Sequence, residues 1–92
     1  MFEIHSKTGC PSCDQAKAYF ERHDLPYIEY RYDDFEERQA MYDRFQLTSH
    51  KRTVPQIFLN HGLYKEYIGG YTDLIKTDFA ERLQMENFDA EF

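Results

Sequence analysis

The chain has two cysteines, and both stand in one motif, Cys10-Pro11-Ser12-Cys13. This spacing constrains the fold more than any other feature of the sequence. A disulfide across so short a loop removes little chain entropy. The 92 residues must therefore hold together through a hydrophobic core, and they leave room for one domain. Eight Phe and eight Tyr, with no Trp, suggest a compact core built on aromatic rings. Pro11 suits the first turn of a helix, where its missing N–H is no loss. The motif thus reads as a junction between a loop and a helix.

The elements follow from the pattern around that junction. Phe2–Ser6 reads as a short buried strand that ends at Lys7-Thr8-Gly9. Pro11 to about His23 is helical, with Ala16, Tyr19 and Phe20 three and four apart and Lys17, Glu21 and Arg22 on other faces. Asp24-Leu25-Pro26 stops this helix, and Tyr27–Tyr32 alternates as a second strand. Asp33 and Asp34 are expected to cap a helix from about Phe35 to Leu47, with a polar, basic loop from Thr48 to Thr53. Pro55–Leu59 reads as a third strand opened by its proline. Asn60-His61-Gly62 is a turn, and Leu63–Ile68 completes a hairpin. Gly69-Gly70 precedes a last helix from about Thr72 to Met85, and residues 86–92 form an acidic tail expected to fray. The order β-α-β-α-β-β-α fits an α/β sandwich around a four-stranded mixed sheet, one domain over residues 1–92.

Composition narrows the function. With 41% hydrophobic and 30% charged residues, the chain is neither disordered nor membrane-like. No stretch approaches the ~20 apolar residues of a bilayer span. Met1–His5 lacks the basic flank and apolar run of a signal peptide, so a cytoplasmic protein that begins here is expected. A net charge of −6 argues against a nucleic-acid backbone as partner.

In such a chain, Cys-x-x-Cys means redox chemistry or half of a metal site. The metal reading needs two more ligands, and no second Cys-x-x-Cys or closely spaced His pair supplies them. His5, His23, His50 and His61 read as solvated surface groups without a role. For redox work a thiolate is needed. Cys10 lies just before a helix, where unpaired N–H groups and the helix dipole favour negative charge. Cys13, one turn in, is more shielded. Cys10 is therefore expected to attack and Cys13 to resolve. Lys7 and Lys17 add positive potential, and Asp14 works against the thiolate.

Four segments together resemble the glutaredoxins, especially the small dithiol forms of bacteria and bacteriophages. They are Lys7–Cys13 after the first strand, Ala16-Lys17 in the first helix, Thr53-Val54-Pro55-Gln56-Ile57-Phe58, and Gly69-Gly70-Tyr71-Thr72-Asp73-Leu74. The resemblance runs from Phe2 to about Leu83. It implies a thioredoxin-like fold and a cis peptide before Pro55 that sets the Val54 backbone beside Cys10, ready to pair with a thiol peptide. That peptide is glutathione, which would serve as reductant, with no metal. Lys7 and Arg52 would meet its glycine carboxylate beside Thr53, Val54 and Pro55. Thr72 and Asp73 would hold its γ-glutamyl end. The activity implied is glutathione-dependent reduction of protein disulfides and glutathione mixed disulfides. The clients would be disulfide-containing proteins, ribonucleotide reductase among them, and the enzyme a monomer.

Each of these residues also has a plainer reading. Thr72 and Asp73 suit any helix start, Lys7 and Arg52 any surface, and Tyr71 reads as a packing residue. Ser12 stands where many dithiol members have Tyr, Asp14 where a basic residue often follows, and Tyr42 where a Gln often faces glutathione. Two other functions stay open. One is a glutaredoxin-like hydrogen donor reduced by thioredoxin reductase, although that group carries a Trp-containing segment. The other is a module bridging a [2Fe–2S] cluster through Cys10 and glutathione, which Pro11 goes against.

Overall fold

Strand β1 (Phe2–Ser6) is buried along its whole length, and the other elements are arranged around it. The computed structural model describes residues 1–77. In it, β2 (Tyr27–Arg31) runs parallel to β1 on one side, Phe2 opposite Tyr27 and Ser6 opposite Arg31. On the other side β3 (Gln56–Asn60) is antiparallel, with Ile4 opposite Ile57, and β4 (Lys65–Gly69) adds a second antiparallel pair. The strand order is β2-β1-β3-β4. Parallel neighbours need a crossover, and α1 (Pro11–Arg22) supplies it. Helix α2 (Phe35–Arg44) precedes β3, and α3 (Tyr71–Thr77) follows β4. This is the mixed sheet with three helices that the element order implies. The expected extension of the last helix to Met85 and the tail 86–92 lie outside the described residues.

Alternation along a strand sends neighbouring side chains to opposite faces. Phe2 and Ile4 meet Ala16, Tyr19 and Phe20 of α1, Ile57 and Leu59 of β3, and Leu74 of α3. The Phe2 and Phe20 rings stack with centroids 4.8 Å apart. Burying each large side chain of this set stabilises the fold by roughly 1.5–3 kcal/mol.

Glu3 and His5 take the other face, and there the reading of the histidines needs correction. His5 is not solvated but 3% exposed. It sits in the central strand, enclosed by Tyr30, Phe45 and Phe58 at centroid distances of 5.1, 5.0 and 5.5 Å. Arg44 Nη2 lies 3.1 Å from the Tyr32 hydroxyl oxygen, which is 3.0 Å from His5 Nδ1. Burial pushes the imidazole pKa down to about 4. Burial alone would raise the Glu3 pKa, yet hydrogen bonds from Lys65 and Asn60 hold it below its ordinary value.

Both long helices end without glycine. After α1 the chain turns at Asp24 (φ 54°), with Leu25 N–H donating to Phe20 O at 2.8 Å and Asp24 N–H to Glu21 O at 3.3 Å. After α2 it turns at Gln46 (φ 57°), with Leu47 N–H donating to Tyr42 O and Gln46 N–H to Asp43 O, both at 3.0 Å. These paired bonds across a left-handed residue form a Schellman motif. They stop α2 at Arg44, short of the expected Leu47. Asp34 is the α2 N-cap residue, but its side chain makes no capping bond. The carboxylate of Asp33 turns away from the helix altogether, to the loop before Cys10. β3 begins at Gln56 rather than Pro55, which has no N–H to give to a ladder; the Val54–Pro55 peptide is cis.

Candidate active site

The loop Lys7-Thr8-Gly9 delivers the chain from β1 to the head of α1. Gly9 takes φ +72°, a region open to glycine at little cost. Asp33 pins this loop. Its Oδ1 accepts from Thr8 N–H at 2.7 Å and its Oδ2 from the Thr8 hydroxyl at 3.0 Å. These two bonds, the backbone one foremost, hold the Asp33 pKa below its ordinary value. Cys10 is the N-cap of α1, and Cys13 N–H donates to its Sγ at 3.1 Å. A thiolate at that position would receive the same bond in charge-assisted form. The two sulfurs are joined in a disulfide, with Cα atoms 5.2 Å apart. Cys10 is 6% exposed and Cys13 1%, so Cys10 is the less buried residue of the pair.

Asp14 lies within 3.5 Å of Lys17, which bonds Glu29 at 3.0 Å. The hydrogen bond that Lys17 donates to Glu29, foremost, holds the Lys17 pKa above its ordinary value. Ser6 donates to the same Glu29 carboxylate at 2.7 Å. The charge of Asp14 is therefore partnered on its own helix.

The second wall is the segment before β3. Cys10 Sγ lies 3.8 Å from the Val54 carbonyl oxygen, which brings the 53–55 turn beside the sulfur. Beyond it opens a cavity of about 530 Å³ that reaches from Ser12 past Thr53, Val54 and Pro55 to Thr72 and Asp73. One space thus brings together Thr53, Val54, Pro55, Thr72 and Asp73. Lys7 and Arg52 do not line it; Lys51, His50 and Tyr67 do. The Arg52 guanidinium is held by Leu47 O at 3.1 Å, Gln39 Oε1 at 3.1 Å and Asp43 Oδ1 at 2.6 Å. It also lies 5.9 Å from the centroid of the buried Tyr42 ring. At the far end Asp73 Oδ2 accepts from Gly70 N–H at 3.1 Å, the return half of a capping box. Gly69 takes φ +115°, and a Cβ there would fall on the Asp73 carboxylate. That close approach is a physical reason for glycine at 69.

Gln56 is a residue the motif reading passed over. It is 2% exposed, and its Nε2 donates to both Lys51 O and Thr53 O at 2.8 Å. Its Oε1 accepts from the Tyr67 hydroxyl at 2.6 Å. One amide thereby fixes the loop and the tyrosine wall. The sequence signal was a polar side chain inside an apolar strand, which must find partners when buried. Among the described residues, no group of three His, Cys, Asp or Glu is placed to hold a metal ion.

Comparison with known proteins gives one family. A family model described as Glutaredoxin matches residues 2–63. A probable glutaredoxin of Synechocystis is 37% identical over 82 residues, 88% of this chain and 85% of that protein. Glutaredoxin 1 of Escherichia coli is 34% identical over 91 residues, 95% of each. Among solved structures, glutaredoxin 1 from Francisella tularensis superposes with a TM-score of 0.70 at 33% identity, covering 90% of this chain and 95% of that one. A buckwheat glutaredoxin–glutathione complex shares the fold, with a TM-score of 0.67 at 22% identity, over 89% of this chain and 71% of that one.

Proposed function

This chain belongs to the glutaredoxin family, a family of thiol–disulfide oxidoreductases, and we propose that glutathione is its reductant. On this reading it reduces protein disulfides and glutathione mixed disulfides. The observation that carries the reading is the pairing of Cys10 with the 53–55 turn at the mouth of one cavity. An extended thiol peptide laid along Val54 would place its sulfur against Cys10 while main-chain groups pair, as an added strand does. Thr53, Val54 and Pro55 form that edge, and Thr72 and Asp73 lie where the γ-glutamyl group would end. The buckwheat relative, solved with glutathione, supports the choice of peptide. Ribonucleotide reductase is a proposed client.

The steps follow from the two sulfurs. Cys10 thiolate attacks one sulfur of the client disulfide, and the other leaves as a thiolate. Cys13 then attacks Cys10, releases the second client thiol and closes the Cys10–Cys13 disulfide. Two glutathione thiols reopen that bond: the first forms a mixed disulfide on Cys10, and the second displaces it as glutathione disulfide. A glutathionylated client needs only Cys10, because the glutathione it hands over is removed by a second one.

Cys10→Ser is expected to abolish both activities, since no other side chain supplies the attacking thiolate. Cys13→Ser should lose protein-disulfide reduction and keep part of the deglutathionylation. A coupled assay with glutathione, glutathione reductase and a small mixed disulfide, run beside thioredoxin reductase with NADPH, tests the reading. Turnover with the second system alone would replace it with the hydrogen-donor alternative.

A further inference from the structure

We propose that, of the two adjacent basic residues before Thr53, Lys51 and not Arg52 meets the glycine carboxylate of a glutathionyl substrate in this chain. The inference rests on the glutathione reading above and assigns its charged contact. Two adjacent basic residues precede Thr53, and the fold treats them differently. Arg52 has all three of its nitrogens engaged, by Leu47 O, Gln39 Oε1 and Asp43 Oδ1. Asp43 offsets its charge at 2.6 Å. Turning this guanidinium to a substrate would break bonds that close the end of α2 onto the loop. Arg52 is thus a latch.

Lys51 is the opposite case. It is exposed and borders the cavity, and its ammonium has no hydrogen-bond or ion-pair partner among the described residues. Its backbone, in contrast, is fixed. The N–H donates to Thr48 O at 2.9 Å, and the carbonyl accepts from the buried Gln56 amide at 2.8 Å. The same amide holds Thr53 O, one residue before the Val54 backbone that faces Cys10. A free cation on a fixed stem therefore stands beside the edge where the peptide would lie. A lysine is a point charge on a flexible four-carbon arm, suited to a carboxylate at an open rim. The exposed setting predicts a modest and salt-sensitive effect.

The test measures the apparent KM for glutathione at low and high salt, and thermal stability, on three variants. Lys51→Glu is expected to raise KM roughly fivefold to tenfold at low salt, by charge reversal of an exposed pair. The value of kcat should hold, and the difference should shrink at high salt. Lys51→Arg, which keeps the charge, should restore KM. Arg52→Gln should lower the melting temperature while KM moves less than about threefold. A Lys51→Glu KM within about twofold of wild type, or a larger KM effect from Arg52→Gln than from Lys51→Glu, overturns the assignment. Failure of the glutathione reading has a different signature. There the wild-type protein itself shows no turnover with glutathione yet is reduced by thioredoxin reductase, and the assignment falls with it.

Discussion

Asp73 caps α3 and is proposed to hold the γ-glutamyl end of glutathione, and a single substitution tests both. Its carboxylate already caps α3 through Gly70 N–H, and the same group borders the cavity. Asp73→Ala should therefore lower stability by about 0.5–2 kcal/mol, the cost of a lost cap. If the carboxylate also meets the γ-glutamyl ammonium, KM for glutathione should rise about fivefold to a hundredfold, with sulfur chemistry unchanged. Thermal unfolding and glutathione kinetics on one mutant check both numbers. Unchanged kinetics in the folded fraction would leave Asp73 as a cap alone. The residue types at 72 and 73 were legible as a helix start or a ligand site. The hydrogen bond to Gly70 required the structure, because it depends on the left-handed turn at Gly69 bringing the backbone back under the carboxylate.

At the scale of elements, the strands were readable within a residue or two because alternation and punctuation agree. The end of α2 was not. Its stop is a Schellman turn with Gln46 in the left-handed region, where sequence patterns look for glycine or asparagine. A non-glycine residue there is strained relative to glycine. Gln46→Gly should therefore stabilise the protein by up to ~1 kcal/mol, the relief of strain being partly offset by greater freedom of the unfolded chain. Equilibrium denaturation checks this. A loss of stability would show that the Gln46 side chain contributes more than its backbone conformation costs. Asp33 makes the same point from the other end of the helix. Next to an N-cap it reads as capping, but the parallel pairing of β1 and β2 brings the loop before Cys10 within its reach, and two Thr8 donors hold it there.

For the molecule as a whole, the sheet face that carries Glu3 and His5 contributes to acid stability, beside the depressed carboxyls of Glu29 and Asp33. The folded protein holds His5 neutral down to about pH 4, whereas in the unfolded chain it takes a proton near its ordinary 6.5. Between those values the unfolded state binds more protons, so stability falls as pH drops. The whole loss is roughly 3 kcal/mol, and below it the depressed carboxyl of Glu3 extends the decline. Denaturation midpoints across pH 4–7 should show this slope, and His5→Phe should flatten it; an unchanged slope in that variant would place its origin elsewhere. The sequence by itself determined the order of elements, the redox pair at a helix start and the family, because those rest on local periodicity, turn chemistry and short motifs. Only the tertiary structure decided which of Lys51 and Arg52 is free, what Gln56 holds and whether His5 sees water. Each of those depends on partners far along the chain or on which face of the sheet is covered, and neighbouring residues of one type look alike until their partners are in place.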